Sequence, residues 1–167
     1  MKAKLIINNQ EIEVEISEDE YKKLLSKEKK TGYERVEVED KFYYVSWRGV
    51  LELSTEEYDN FDTQCYEIAN YYSNKTVAEN NARADKLMRQ LRRFAVEHRE
   101  KEFDWNSPQG GSYYICYNWF HGKFHISSTN LRTTGAIYFD SEETAQLAID
   151  TFHDELIWYF TEYKDSL

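Results

Sequence analysis

Four histidines and two cysteines carry the widest chemical range in this 167-residue chain. His121 and His125 stand four apart, but Gly122 between them marks a turn, so the two imidazoles need not face one way. Asp150, His153 and Asp154 share one side of a helix-compatible segment and form a second metal-type grouping. Neither group supplies the ligand set that a zinc site needs, so no metal is expected. Cys116 and His125 would form a thiol–base pair across a hairpin, yet no nucleophile motif surrounds them. Cys65 and Cys116 are read as reduced thiols, since no secretory signal is evident. No Gly-rich phosphate loop occurs. The chain therefore reads as a non-enzyme with no catalytic residue and no cofactor.

Charge is the next resource. The net charge is −10, unevenly spread: residues 1–62 carry −6, residues 63–101 carry +3 and residues 102–167 carry −7. The basic island holds Arg83, Lys86, Arg89, Arg92 and Arg93, and Lys86, Arg89 and Arg93 fall within a helical sector of about 60°. Such a row suits phosphates, or equally the acidic parts of its own chain. Acidic rows lie at Glu11, Glu13 and Glu15, then at Glu34, Glu37, Glu39 and Asp40. Alternate carboxylates on a strand sit about 6.6 Å apart, on the scale of DNA phosphates, which permits mimicry of nucleic acid before a basic partner.

Aromatic anchors are abundant: 14 Tyr, 9 Phe and 4 Trp. Most serve a core, but the run Tyr117-Asn118-Trp119-Phe120 places aromatics on both faces of a strand end. Trp119 and Phe120 are accordingly candidate exposed anchors for a partner.

The elements that must position these groups follow from periodicity. Lys4–Ile7 and Glu11–Ile16 flank Asn8-Asn9-Gln10 as a hairpin, and Ser17 opens a helix that Gly32 stops. Short strands are expected at Arg35–Val38, Phe42–Trp47 and Val50–Leu53. Within 54–69, Thr55–Tyr58 suits a helical turn and Cys65–Ile68 a strand. Asn74–Lys101 has no Gly or Pro in 28 residues and an apolar stripe of Val77, Ala84, Leu87, Met88, Leu91, Phe94 and Ala95. Tyr113–Trp119 and Lys123–Ser128 pair around His121-Gly122, Ala136–Phe139 is a further strand, and Asp140–Tyr163 is one closing helix. The fold class is α+β: antiparallel hairpins packed on two long helices.

An internal echo accompanies this layout. Tyr71-Tyr72-Ser73-Asn74 parallels Tyr138-Phe139-Asp140-Ser141 at an offset of 67, and Phe42–Trp47 parallels Ser112–Tyr117 at an offset of 70. A duplicated strand–strand–extended–helix unit is expected, with three segments: 1–32, a hairpin plus helix; 33–101, the first unit; and 102–167, the second. The alternative reading is one compact domain overall.

The leader Lys4–Val14 with Lys30–Val36, the helix Ala78–His98, Asp104-Trp105-Asn106, Tyr113–Tyr117 and Ile137–Ala145 together resemble small accessory proteins of phages and prophages of Gram-positive bacteria. No apolar run approaches the roughly 18 residues needed to span a bilayer, so a cytoplasmic protein without membrane association is expected. The resemblance spans nearly the whole chain and implies a mobile-element setting. It implies binding to a host or defence protein, foremost inhibition of a CRISPR nuclease through the acidic and aromatic residues named above. The alternative is a phage replication or regulatory factor touching nucleic acid through Lys86, Arg89 and Arg93.

Overall fold

The computed structural model describes residues 2–7, 10–15, 17–19, 30–106 and 111–163. Strands β1 (Lys2–Ile7) and β2 (Gln10–Glu15) form the expected antiparallel N-terminal hairpin. The helix expected between Ser17 and Gly32 lies almost wholly outside the described residues. The remainder is α+β, with two antiparallel hairpins and four helices packed together.

The first of these hairpins joins β3 (Lys41–Val45) to β4 (Leu51–Thr55), with Phe42 opposite Ser54 and Tyr44 opposite Glu52. Alternation turns Phe42 and Tyr44 to one face, where Phe42 stacks on Tyr71 at 4.1 Å and Tyr44 meets Phe61 edge-on at 5.0 Å. Phe61 and the buried Cys65 come from α1 (Asn60–Glu67), whose N-cap Asp59 accepts the Asp62 N–H. Cys65–Ile68 is thus largely helix, not strand, because burial of Cys65 against Phe42 outweighs the local β-propensity. Arg35–Val38 also departs from expectation: it is unpaired, and the Val36 N–H donates to the Tyr71 hydroxyl at 3.2 Å instead.

Helix α2 (Lys75–Glu97) begins at the expected cap, Asn74, whose side chain accepts the Val77 N–H. Ala84, Leu87, Leu91, Phe94 and Ala95 of the anticipated stripe are buried, with Val77 and Met88 half-buried. Burial of each large side chain contributes about 1.5–3 kcal/mol. The helix stops four residues before Lys101, where His98 leaves helical geometry and stacks on Phe94 at 3.9 Å.

The second hairpin joins β5 (Ser112–Asn118) to β6 (Lys123–Thr129). The strand expected at Ala136–Phe139 reduces to one bridge, with Phe139 and Tyr113 exchanging N–H···O bonds of 2.8 Å. The long closing helix divides into α3 (Glu142–Thr151) and α4 (His153–Thr161), broken at Phe152 (φ −113°, ψ 24°). Packing sets this break, as no Gly or Pro is present. A straight 24-residue helix would extend about 36 Å. The bend instead brings Ile149 and Leu156 into the core with Leu87, Leu91, Phe94 and Phe139, while Phe152 stands edge-on to Phe94. The N-cap is Ser141 rather than Asp140.

The two hairpin–helix segments share several details. Tyr43 exchanges backbone bonds with Tyr72 as Tyr113 does with Phe139. Two residues beyond Tyr72 and Phe139 stand the N-caps Asn74 and Ser141, and four beyond those the fully buried Ala78 and Ala145.

Candidate binding surfaces

Glu56 is fully buried and organises one end of the β3–β4 hairpin. Arg35 clamps it in a fork, with Nε to Oε2 at 3.1 Å and Nη2 to Oε1 at 2.9 Å. The Tyr71 hydroxyl donates to Oε2 at 2.7 Å and the Tyr58 N–H to Oε1 at 2.9 Å. The Arg35 guanidinium lies over the Tyr58 ring at 4.1 Å and also donates to Thr63. Arg35 holds the Glu56 carboxyl down at about 2 against the opposing effect of burial, with Tyr71 and the Tyr58 N–H assisting. Burial, followed by the adjacent carboxylate, pushes the Tyr71 phenol upward. Both Glu56 oxygens are engaged, so this cluster braces the fold rather than exchanging protons.

Around that brace two acidic turns lie side by side. The Glu39 N–H donates to the Glu56 carbonyl and the Glu56 N–H to the Asp40 carbonyl, both at 2.9 Å. Glu39 (φ 73°) and Tyr58 (φ 57°) take left-handed conformations at the bends, a cost that the paired backbone and the buried brace offset. Glu37, Glu39, Asp40, Glu57 and Asp59 are all exposed, and none meets a cation in an ion pair among the described residues. Between them Val38 and Tyr58 are more than half exposed.

The other anticipated carboxylates lie elsewhere. Glu34 is occupied locally: it accepts from the Thr31 and Gly32 backbone and from the hydroxyls of Thr31 and Ser73. Burial raises its pKa, but these donors together bring it to about 2. Glu11, Glu13 and Glu15 occupy alternate positions of β2, in register with Ile6, Lys4 and Lys2 respectively.

At the closed end of the same hairpin the charge reverses. Trp47 and Arg48 form the turn, and the Trp47 indole is 94% exposed. They line a cleft of about 610 Å³ with Ser46, Asp85, Lys86 and Arg89. The basic row of α2 is therefore divided. Arg83 pairs with Glu155 at 2.8 Å and lies 3.9 Å over Trp158, and Arg93 reaches Glu97 at 3.7 Å. Lys86 and Arg89 make no ion pair among the described residues.

No protein-family model, curated protein or solved structure matches this chain.

The tip of the second hairpin carries Trp119 and Phe120, respectively 67% and 91% exposed. Trp119 keeps one edge contact, at 5.7 Å, with Tyr117. Cys116 and His125 do stand opposite each other in register, but no hydrogen bond joins them. Both cysteines are free thiols. His153 bonds Asp154 at 3.1 Å, and no cluster of three or more metal-type ligands exists among the described residues. No helix among the described residues is long and apolar enough to cross a membrane. Sequence reasoning missed the backbone pairing of Glu39 and Asp40 with Glu56 and the membership of Trp47 and Arg48 in the basic cleft. The only local signal for the latter was a Trp beside the turn pair Arg48-Gly49.

Proposed function

We propose that this chain is a non-enzymatic binding protein whose acidic face, at the open end of the β3–β4 hairpin, engages a basic protein surface. The observation that carries this reading is the backbone pairing of Glu39 and Asp40 with Glu56, which joins the turn at 37–40 to the segment that follows β4. The two segments carry five exposed carboxylates that make no ion pair among the described residues, with Val38 and Tyr58 exposed in the same segments. Charge complementarity of this kind raises association rates and selects partners, while the exposed apolar groups slow dissociation. Trp119 and Phe120 supply a second anchor of the type that dominates interface energetics. In the phage or prophage setting that the sequence resemblance implies, the partner is a cytoplasmic defence nuclease, with a CRISPR effector the first candidate. Its nucleic-acid channel is the basic surface to be occupied. The matching bridges, caps and buried alanines also support reading the two hairpin–helix segments as copies of one ancestral unit.

The test is cleavage of target DNA by purified CRISPR effector nucleases titrated with the chain. Inhibition that weakens as ionic strength rises, and that Glu37→Lys with Glu39→Lys and Glu57→Lys abolishes, is the expected result. Inhibition that survives these reversals removes the acidic face from the mechanism. Absence of inhibition across the panel removes the nuclease assignment.

A further inference from the structure

The cleft at the opposite end of the hairpin is not absorbed by that function. Its wall on α2 presents Lys86 and Arg89, two cations without a carboxylate partner among the described residues, whereas Arg83 and Arg93 of the same row pair with Glu155 and Glu97. Its rim is the turn bearing Trp47 and Arg48. A tryptophan 94% exposed at a hairpin tip gives up the burial that usually stabilises such a side chain. Three cations line the cleft together with that indole, and Arg48 lies 5.9 Å from its ring centroid. Asp85 lines the same cleft, and Glu52, whose carboxyl is lowered by the Tyr44 hydroxyl and in smaller part by Arg48, lies beside the rim, so two carboxylates stand against three cations.

From this we infer that the cleft binds single-stranded nucleic acid, with one unstacked base laid on the Trp47 indole and the flanking phosphates held by Arg48, Lys86 and Arg89. An exposed indole accepts any base by its π-face, and cations alongside it track the backbone, the combination by which single strands are held without sequence preference. A duplex presents no free base face, so single strands are favoured. Lys86 and Arg89 are three residues apart, about 4.5 Å along the axis, and so act together on neighbouring backbone oxygens. An acidic protein segment would satisfy the cations but leave the indole face without a matching plane. The site stands independently of the acidic face: the two lie at opposite ends of a five-residue hairpin, about 17 Å long.

The experiment is fluorescence anisotropy of a labelled oligothymidylate of about 20 nucleotides, with tryptophan quenching as the second readout. At about 50 mM salt the oligonucleotide is expected to be retained and to quench tryptophan emission. With three phosphate contacts, affinity should fall roughly 20-fold on going to about 200 mM salt. Trp47→Ala should weaken binding about 10-fold or more and remove the quenching. Arg89→Glu should abolish binding, while Glu37→Lys leaves it intact or tighter, which separates this site from the acidic face. These side chains are exposed, so the variants should retain the wild-type thermal transition. Three results would overturn the inference: no retention at low salt, retention that Trp47→Ala leaves unchanged, or a duplex bound more tightly than the single strand. Salt-sensitive self-association that Arg89→Glu abolishes, without oligonucleotide binding, would also overturn it by assigning the cleft to the acidic face of a second copy.

Discussion

Replacing Glu56 with Gln probes the brace beneath the acidic face. The substitution keeps shape and volume but removes the charge that faces the Arg35 fork at 2.9 and 3.1 Å. Glu56 is fully buried and its carboxyl is held at about 2, against an ordinary value near 4.3. That difference of roughly two units corresponds to about 3 kcal/mol at neutral pH. Removal of one partner from a buried ion pair costs about 3–5 kcal/mol, and the partial exposure of Arg35 places the expectation at the lower end. With a urea slope of about 2 kcal/mol/M, the midpoint at pH 7 should drop by about 1.5 M. The sign with pH follows from a depressed folded-state pKa: the contribution is complete above the unfolded value near 4.3 and is lost as pH falls through about 2. The gap between wild type and Glu56→Gln should therefore shrink from about 3 kcal/mol at pH 7 toward zero near pH 2. Glu34 and Asp140, also depressed, titrate in both proteins and cancel from that gap. Urea titrations monitored by tryptophan fluorescence across this range supply the measurement. A gap below about 1 kcal/mol at pH 7, or one that does not change with pH, would refute the reasoning.

Two further substitutions test how the helices are seated. At Gly32 (φ +91°) a Cβ would lie 2.7 Å from Val77 Cγ2, so Gly32→Ala should cost more than about 1 kcal/mol by both strain and overlap, read as a lower thermal midpoint. Ser141→Ala removes the acceptor for the Thr144 N–H and should cost about 1 kcal/mol, whereas Ser141→Asp should restore most of it in the same melting assay.

The opposed ends of the β3–β4 hairpin give the chain a charge polarity that its net −10 conceals. The acidic turns face a basic partner in the proposed function, and the basic cleft is open to the strand such a partner would carry. Arg83 illustrates the restraint on this polarity. Sharing a helix with Lys86 and Arg89 did not make it part of a common site, because Glu155 and Trp158 of α4 take its guanidinium.

Much of the local structure was legible from residue order. Asn74 as a cap, the stripe from Ala84 to Ala95, the three hairpins and the α+β class all follow from short-range rules of periodicity and capping. The exposure of Trp119 and Phe120 was legible too, since a turn leaves adjacent aromatics no common face to bury. The misreadings at Cys65–Ile68, Ala136–Phe139 and Phe152 share one origin. Each segment has an apolar pattern compatible with more than one element, and distant partners made the choice: Phe42 for Cys65, Tyr113 for Phe139, Phe94 for Phe152.

What the sequence by itself determined was which residues carry charge or aromatic surface, and which face of each element they occupy. Only the tertiary structure decided which charges remain available. Glu34 and Glu56 look like Glu37 and Glu57 in the chain, yet the first two are spent on Ser73 and Arg35 while the latter two stay open. The reason is physical: whether a carboxylate is free depends on donors brought within about 3 Å by folding, and sequence spacing does not encode that distance.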